Sequence, residues 1–359
     1  MNKRNKRAIK LVAAAASLLA AGASHAQSSV TLYGTLDAGL LYTSRTVSAT
    51  GANAGHQFSL IDGGSAGSNF GMRGTEDLGG GLSAIFALES GISMANGGYG
   101  NSNGNFFGRQ AWIGLTGGFG TVQAGLQYSP FVLSLINTDA RNVSYFGSGA
   151  AIYVGSVLDT GLFNPNAISY TSPVIAGFQG SAMMALGGQA GDFQAGRQYS
   201  GRLKYESGGL LIDAALYSGN AGGTAASTPI PTTVAFTGRT IGAGYTFESL
   251  TIKAVFVNYK LAGSFDSRVY GGGLGYQITP SLLANVGAWY TSDGNDTANH
   301  SILAGASVDY SLSKRTALYA QVAFVDNHGK MNTGLSLNGA LYEGPGSTTG
   351  VTVGIRHRF

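Results

Sequence analysis

The histidines are the first residues in this sequence to examine for catalytic chemistry. A serine nucleophile needs a histidine base and an acid that meet it in space. Beyond residue 26 the histidines are His56, His300, His328 and His357, and no serine and acid accompany them in a recognisable grouping. The sequence therefore disfavours an enzyme.

Two glycine runs and one loop complete the search for ligand chemistry. Gly79 to Gly81 and Gly271 to Gly273 lack the lysine and the serine or threonine of a nucleotide-binding loop, so they indicate turns and close packing. Asp293, Asn295 and Thr297 offer oxygens, but the spacing lacks the glycine and the distal glutamate of a calcium loop. We expect neither a cofactor nor a bound metal.

The first 26 residues have the composition of a cleaved secretory signal peptide. A basic start is followed by an apolar run and by small residues at Ser24 and Ala26, with cleavage expected before Gln27. The apolar run is shorter than the roughly 20 residues of a membrane-spanning helix. Five of the 21 lysines and arginines leave with this segment, and the remaining 16 nearly balance the 17 acids. The mature chain is close to neutral, which gives no support to a nucleic-acid partner.

The composition of the mature chain favours β-strands. Cysteine is absent, so an exported chain of this length must be held by backbone pairing and burial rather than by disulfides. In the full sequence, glycine is very abundant at 58 residues and proline is sparse at 7, and aromatic residues are frequent. This balance suits twisted strands joined by tight turns.

Sixteen segments of the mature chain alternate between apolar and polar residues. In residues 30–43, Leu32 and Leu40 share one parity and Thr31 and Asp37 the other, as a strand with one apolar face requires. The predicted strands are residues 30–43, 68–78, 82–94, 106–117, 121–128, 167–173, 178–186, 201–206, 210–218, 239–248, 250–261, 268–278, 282–292, 300–312, 316–326 and 349–359.

Short and long connectors alternate between these segments, and this pattern is typical of an outer-membrane β-barrel. Residues 27–359 are therefore expected to form one barrel domain, and sixteen strands leave a water-filled lumen. A soluble β-sandwich also alternates, and parity alone does not say which face lies inside. Parity is blurred at Val255 and Val257 and at Ile113 and Leu115, where a subunit contact or an error of register would explain it.

Residues 129–164 interrupt the alternation. A connection of this length without regular structure is unusual inside a compact domain, and such connections are commonly functional. We therefore expect this segment to fold into the lumen of the barrel.

Several stretches resemble one known family. Residues 27–42 (QSSVTLYGTLDAGLLY), 70–91 (FGMRGTEDLGGGLSAIFALESG), 108–130 (GRQAWIGLTGGFGTVQAGLQYSP) and 168–180 (ISYTSPVIAGFQG), with the terminal GIRHRF, are similar to the trimeric general porins of Gram-negative outer membranes, in the branch typical of betaproteobacteria. The resemblance runs along the whole mature chain.

The resemblance implies a transmembrane 16-stranded antiparallel β-barrel whose third long loop, residues 129–164, folds inward and constricts the pore. It implies a homotrimer in the outer membrane of a Gram-negative cell, in contact with lipid and lipopolysaccharide. It also implies that the outer-membrane assembly machinery reads the terminal Phe359, which is equally suited to an interfacial aromatic girdle. Ions and small hydrophilic solutes would then cross passively.

The resemblance also implies two sets of residues at the pore constriction. The wall set is Arg73, Arg109 and Asn69, and the loop set is Asp139, Arg141 and Asp159. Asn69 stands where members of the family commonly have an arginine, so we expect a weaker transverse field than is usual in the family. Asp139 or Asp159 would face the two wall arginines.

Parity adds Glu89, Arg202 and Lys204 as further residues of the lumen, although each also fits a solvated rim. Two alternatives to a general diffusion channel stay open at this point. One is a solute-selective channel with the same fold, and the other is a structural or adhesin-like surface barrel. The sequence does not fix the sign of ion selectivity.

Overall fold

The computed structural model describes residues 29–50, 52–153, 162–223, 233–338 and 344–359. The expected signal peptide lies outside these residues. Within them, no helix is long and apolar enough to cross a membrane.

Within the described residues, seventeen β-strands and two helices follow one another. The strands are β1 (Ser29–Thr43), β2 (Gln57–Asp62), β3 (Asn69–Gly79), β4 (Leu82–Gly91), β5 (Gln110–Gly117), β6 (Gly120–Tyr128), β7 (Phe163–Thr171), β8 (Phe178–Ala185), β9 (Gln198–Ser207), β10 (Leu210–Gly219), β11 (Phe236–Phe247), β12 (Leu250–Leu261), β13 (Asp266–Thr279), β14 (Leu282–Asp293), β15 (His300–Ser311), β16 (Thr316–His328) and β17 (Gly346–Arg358). The helices are α1 (Pro130–Thr138) and α2 (Gly149–Tyr153).

Antiparallel pairing closes these strands into a barrel. Each strand from β3 to β17 pairs with the next along the chain, and β17 pairs with β1, with Leu36 opposite His357. Strand β1 pairs with β2 along its second half and with β3 along its first half. Strands β2 and β3 therefore share one position in the wall, and the barrel has sixteen strand positions, as the sequence predicted. Strand β2 lies in a stretch that was expected to be entirely loop.

The structure fixes which parity faces the lumen. On β1, Leu40 is 62% exposed, whereas Asp37 on the opposite parity is fully buried. On β11, Ile241 and Tyr245 are exposed, whereas Thr240, next to Ile241 and on the opposite parity, is buried. The exposed apolar face is thus the outer face, as contact with hydrocarbon requires, and the polar face lines the interior.

The blurred parity at two pairs of residues has different causes. Ile113 and Leu115 are exposed on the outer face of β5, so they follow the barrel pattern. Val255 and Val257 face inward on β12 and are buried in an apolar cluster with Tyr153 of α2. This cluster forms a small hydrophobic core inside the barrel, between the inner wall and the segment after β6.

The C-terminal residue completes the seam between the first and last strands. The backbone N–H of Phe359 donates to Gly34 O at 3.1 Å, and Gly34 N donates back to Phe359 O at 3.2 Å. A Cβ at Gly34 would lie 2.5 Å from the Phe359 ring, so the ring packs directly on bare backbone. The terminal aromatic residue therefore seals the seam at the end of the barrel that carries the short turns.

Candidate functional site

A cluster of charged and aromatic side chains lies on the inner wall between β1 and β7. Arg109, just before β5, donates from Nε to Glu89 Oε1 at 2.6 Å. Tyr33 OH donates to Glu89 Oε2 at 2.9 Å, and Arg109 NH2 donates to Tyr128 OH at 3.2 Å. The Arg109 and Glu89 side chains are only 11% and 7% exposed, so the ion pair is nearly buried. The acid that the wall arginine pairs with is therefore Glu89, one of the residues that parity had suggested.

Arg73 has a different environment from Arg109. It lies opposite Thr31 on the inner face and is exposed, with its guanidinium carbon 5.3 Å from the centre of the Tyr33 ring. Within the described residues, no acid forms an ion pair with it. Asn69, on the same face of β3, accepts from Thr35 N at 3.2 Å through Oδ1. Arg73 thus presents an uncompensated positive charge to the interior.

Helix α1 begins the segment after β6, and its first residues favour a helix start at this place. The Ser129 side chain accepts from Val132 N at 3.2 Å as the N-cap, and Pro130 occupies the first turn, where its missing N–H is no loss. Phe131, Val132 and Leu135 on one side of α1 are buried, whereas Ile136 and Asn137 are not. The helix therefore lies with its apolar side against the wall.

The segment after β6 packs against glycines on the inner face of strands β11 to β17. A Cβ at Gly238 would lie 2.6 Å from the Phe131 ring, and one at Gly273 would lie 2.9 Å from the Ala140 methyl group. Further contacts of the same kind join Gly242 to Thr138, Gly287 and Gly305 to Arg141, and Gly350 to Phe146. The segment crosses the inner face of strands from β11 to β17, and bare backbone allows its close approach.

Arg141 fastens the segment to two strands of the wall. Its Nε donates to Asn285 Oδ1 at 2.8 Å and its NH2 to Gln321 Oε1 at 2.7 Å, while NH1 donates to the carbonyls of Phe146 and Gly147. The residue is 2% exposed. Burial lowers the pKa of the Arg141 guanidinium to about 10, so it stays charged near neutral pH.

The Asp139 carboxylate accepts hydrogen bonds from backbone N–H groups of the same segment. Its Oδ1 accepts from Arg141 N at 2.9 Å and Val143 N at 2.8 Å, and its Oδ2 accepts from Gly149 N at 3.0 Å. Burial raises the pKa of the Asp139 carboxyl above its usual range, against the effect of these three N–H groups and of Arg141. That Asp139 also faces the wall arginines stays a prediction. Asp159 lies outside the described residues.

Two other connections meet this segment inside the barrel. Tyr145 N donates to Ser65 O at 3.2 Å in the connection between β2 and β3. Gly147 N donates to Leu335 O at 2.8 Å, in the connection between β16 and β17. Leu335 is 1% exposed and Phe146 is fully buried. The segment is therefore held by the wall and by two neighbouring connections together.

Other charged residues of the inner face are paired in different ways. Arg202 holds Asp213 through two nitrogens, and Lys204 lies 2.8 Å from Glu206, so both of the basic residues suggested by parity do face inward. The sequence reasoning did not single out three further cations of the inner face: Lys253 on β12, and Arg356 and Arg358 on β17. Parity with Thr251 and with Thr352 was the signal that could have found them. Within the described residues, no three His, Asp or Glu side chains are arranged to hold a metal.

Comparison with known proteins gives matches along the whole chain. A family model described as Gram-negative porin matches residues 12–330. The outer membrane porin protein 32 of Delftia acidovorans is 32% identical over 379 residues, covering 98% of this chain and 99% of that protein. An outer membrane porin protein of Bordetella pertussis is 31% identical, covering 96% of this chain and 98% of that protein.

Solved structures show the same architecture. The anion-selective porin from Comamonas acidovorans has a TM-score of 0.79 at 27% identity and covers 93% of this chain and 100% of its own. OmpT of Vibrio cholerae, solved in a trimer form, has a TM-score of 0.69 at 16% identity, with 92% of this chain and 99% of that chain covered. The second likeness concerns the fold alone.

Proposed function

The chain belongs to the Gram-negative porin family, and from this premise we propose that residues 129–164 narrow the lumen of an outer-membrane diffusion channel. As a porin of the outer membrane, the barrel passes ions and small hydrophilic solutes through a water-filled pore. The narrowing segment would make the passage selective for size without any energy source. The alternative of a structural or adhesin-like barrel has no comparable support.

The observation that carries the constriction is the docking of the segment on the inner wall. Phe131 and Arg141 contact the polar, inward-facing side of strands β11 to β15, opposite to the side that carries the exposed apolar residues. A segment in that position occupies part of the cross-section of the lumen that would otherwise be open. Selectivity in such a pore follows from its width and from the charges that line it.

The charge balance of the inner face supports a modest preference for anions. Arg73 and Lys253 have no ion-pair partner within the described residues, whereas the acids Asp213 and Glu89 are held by arginines and Asp37, Asp62 and Asp139 are buried. A similar solved structure is described as an anion-selective porin. Because Asn69 adds no charge beside Arg73, the preference we propose is weak.

We further propose that the protein assembles as a homotrimer embedded in outer-membrane lipid and lipopolysaccharide. OmpT of Vibrio cholerae, which shares the fold, has been solved as a trimer. We also propose that the assembly machinery of the outer membrane reads Phe359, since this residue ends the last strand and remains 38% exposed.

Recording of single channels in planar bilayers tests the channel and its selectivity together. Folded protein should give discrete, ohmic current steps in potassium chloride. In a salt gradient the reversal potential should have the sign expected for anions carrying more of the current. Folded trimers without conductance would contradict the proposed function, and a clear cation sign would contradict the charge argument.

A further inference from the structure

A cavity of about 740 Å³ lies beneath α1, at the end of the lumen that carries the short turns. Its floor is formed by inner-face positions of β10, β11 and β12, and its roof by Ile136 and Asn142 of the segment after β6. The turn between β9 and β10 closes one side. This volume is within the range of small-molecule sites. The cavity is separate from the wall cluster around Arg109 and Glu89.

The floor is a row of three residues at matching positions on neighbouring strands. Leu211 lies opposite Gly244, and Gly244 lies opposite Lys253. A Cβ at Gly244 would lie 3.3 Å from Lys253 Cγ and 3.7 Å from Leu211 Cβ. The glycine therefore leaves an open slot between an apolar side chain and a cationic one.

Apolar surface is unusual at this place. Leu211 has the parity of Asp213 and of the polar lumen face, yet it is a leucine and only half-buried. Ile136 of α1 is only partly buried and also lines the cavity. Two aliphatic side chains thus border the cavity, and covering them with a ligand would remove apolar surface from contact with solvent.

The charge at one end of the row is uncompensated. Lys253 Nζ donates to Asn142 Oδ1 at 2.9 Å and to the carbonyl of Asp139 at 3.2 Å, both neutral oxygens. No ion pair of Lys253 occurs within the described residues. At the other end, Lys204 and Glu206 neutralise each other at 2.8 Å. Among the described residues that line it, the cavity therefore has one cation without an ion-pair partner, Lys253, and one apolar strip.

We propose that this cavity binds a small monocarboxylate with an apolar body, as a subsite on the path of solutes through the channel. The Lys253 ammonium group holds the carboxylate, and Leu211 and Ile136 cover the hydrocarbon part. A ligand with a second carboxylate would place it against the apolar strip or near Glu206, which disfavours dicarboxylates. The inference rests on the proposed channel function and deepens it.

The test uses single channels of the full protein in 0.1 M potassium chloride, where screening extends over about 10 Å. Hexanoate should reduce or interrupt the current with a saturable dependence on concentration. Acetate has the carboxylate without the long hydrocarbon chain, and hexan-1-ol has the chain without the carboxylate. Both should block the current at least tenfold more weakly than hexanoate. Equal effects of hexanoate and acetate, or of hexanoate and hexan-1-ol, would overturn the proposal.

Variants assign the effect to the cavity. Lys253→Gln should weaken hexanoate block roughly tenfold, which is typical for loss of a hydrogen bond to a charged group. Leu211→Ser, which leaves the contacts of Lys253 to the segment intact, should weaken it several-fold and keeps the proposal testable if Lys253→Gln misfolds. Lys314→Gln, on an exposed turn outside the cavity, is the matched charge control and should change nothing. Unchanged block in Leu211→Ser contradicts the site.

The two proposals fail in different ways. If the folded wild-type protein does not conduct at all, the channel function is wrong. If it conducts and hexanoate leaves the current unchanged, the channel function stands and the binding site is wrong.

Discussion

Arg73 and Arg109 were predicted as equivalent wall residues, but their guanidinium groups have different surroundings. Arg109 is nearly buried against Glu89, and the pair contributes little net charge to the lumen. Arg73 is exposed beside the Tyr33 ring. Of the two arginines, only Arg73 therefore presents an exposed charge without an ion-pair partner to passing ions.

The first prediction concerns ion selectivity. Arg73→Gln should shift the reversal potential in a salt gradient toward cations, because it removes an uncompensated positive charge from the inner face. Arg315→Gln, which removes a cation from an exposed turn, is the matched control and should cause a smaller shift. A shift of equal size in both variants would show that position within the lumen does not matter.

The second prediction concerns stability. Arg109→Gln leaves the nearly buried Glu89 carboxylate without its cation, which typically costs about 3–5 kcal/mol. The thermal unfolding midpoint, followed by the β-sheet circular dichroism signal, should fall clearly. The double variant with Glu89→Gln as well should recover much of the loss. A double variant no more stable than Arg109→Gln would rule out the unpaired carboxylate as the cause.

Residues 129–164 show, at the scale of elements, how far sequence reasoning extends. The loss of alternation located the segment, but α1 and α2 were not predicted, since nine-residue and five-residue helices give weak patterns. Asp139 and Arg141 were assigned to the constriction because they are charged. The structure shows them fastening the segment, and this role depends on backbone N–H and carbonyl groups that a sequence pattern does not place.

The third prediction concerns the contact between α1 and the wall. Gly238→Ala would put a methyl group 2.6 Å from the Phe131 ring, so α1 should be displaced into the lumen. Single-channel conductance should decrease. Gly201→Ala on the outer face of β9, whose Cβ would meet Leu216 at 3.9 Å, is the matched control. Unchanged conductance in Gly238→Ala would mean that α1 does not limit the current.

The whole molecule was the easiest level to predict from sequence. Strand period, alternating connector lengths and total length together define a barrel, because each depends on repetition rather than on single residues. Strand β2 was missed for a related reason: six residues, Gln57–Asp62, pair along only half of β1 and give little periodicity. Which face lies inside also required the structure.

The fourth prediction separates the two roles of the C-terminal residue. Gly34→Val should collide with the Phe359 ring and with the Asn69 carbonyl oxygen, each 2.5 Å from its Cβ, and lower the thermal stability of barrels refolded in detergent, where no assembly machinery is present. Phe359→Ala should lower the amount of protein in the outer membrane of cells. Gly275→Ala, with nothing closer than 3.9 Å to its Cβ, is the control for stability. Full stability of Gly34→Val would show that the ring does not seal the seam.

The break between β2 and β3 has an electrical consequence. Where the chain leaves the wall, Asp37 N donates to Ser68 Oγ at 2.9 Å, and Asp37 O accepts from Gly63 N at 3.0 Å. These contacts replace the missing strand, so the backbone polar groups of β1 are not left facing hydrocarbon. At this interrupted position of the described wall, the satisfied backbone groups leave no polar path for ions through the sheet, and we expect ionic current to follow the axis of the barrel.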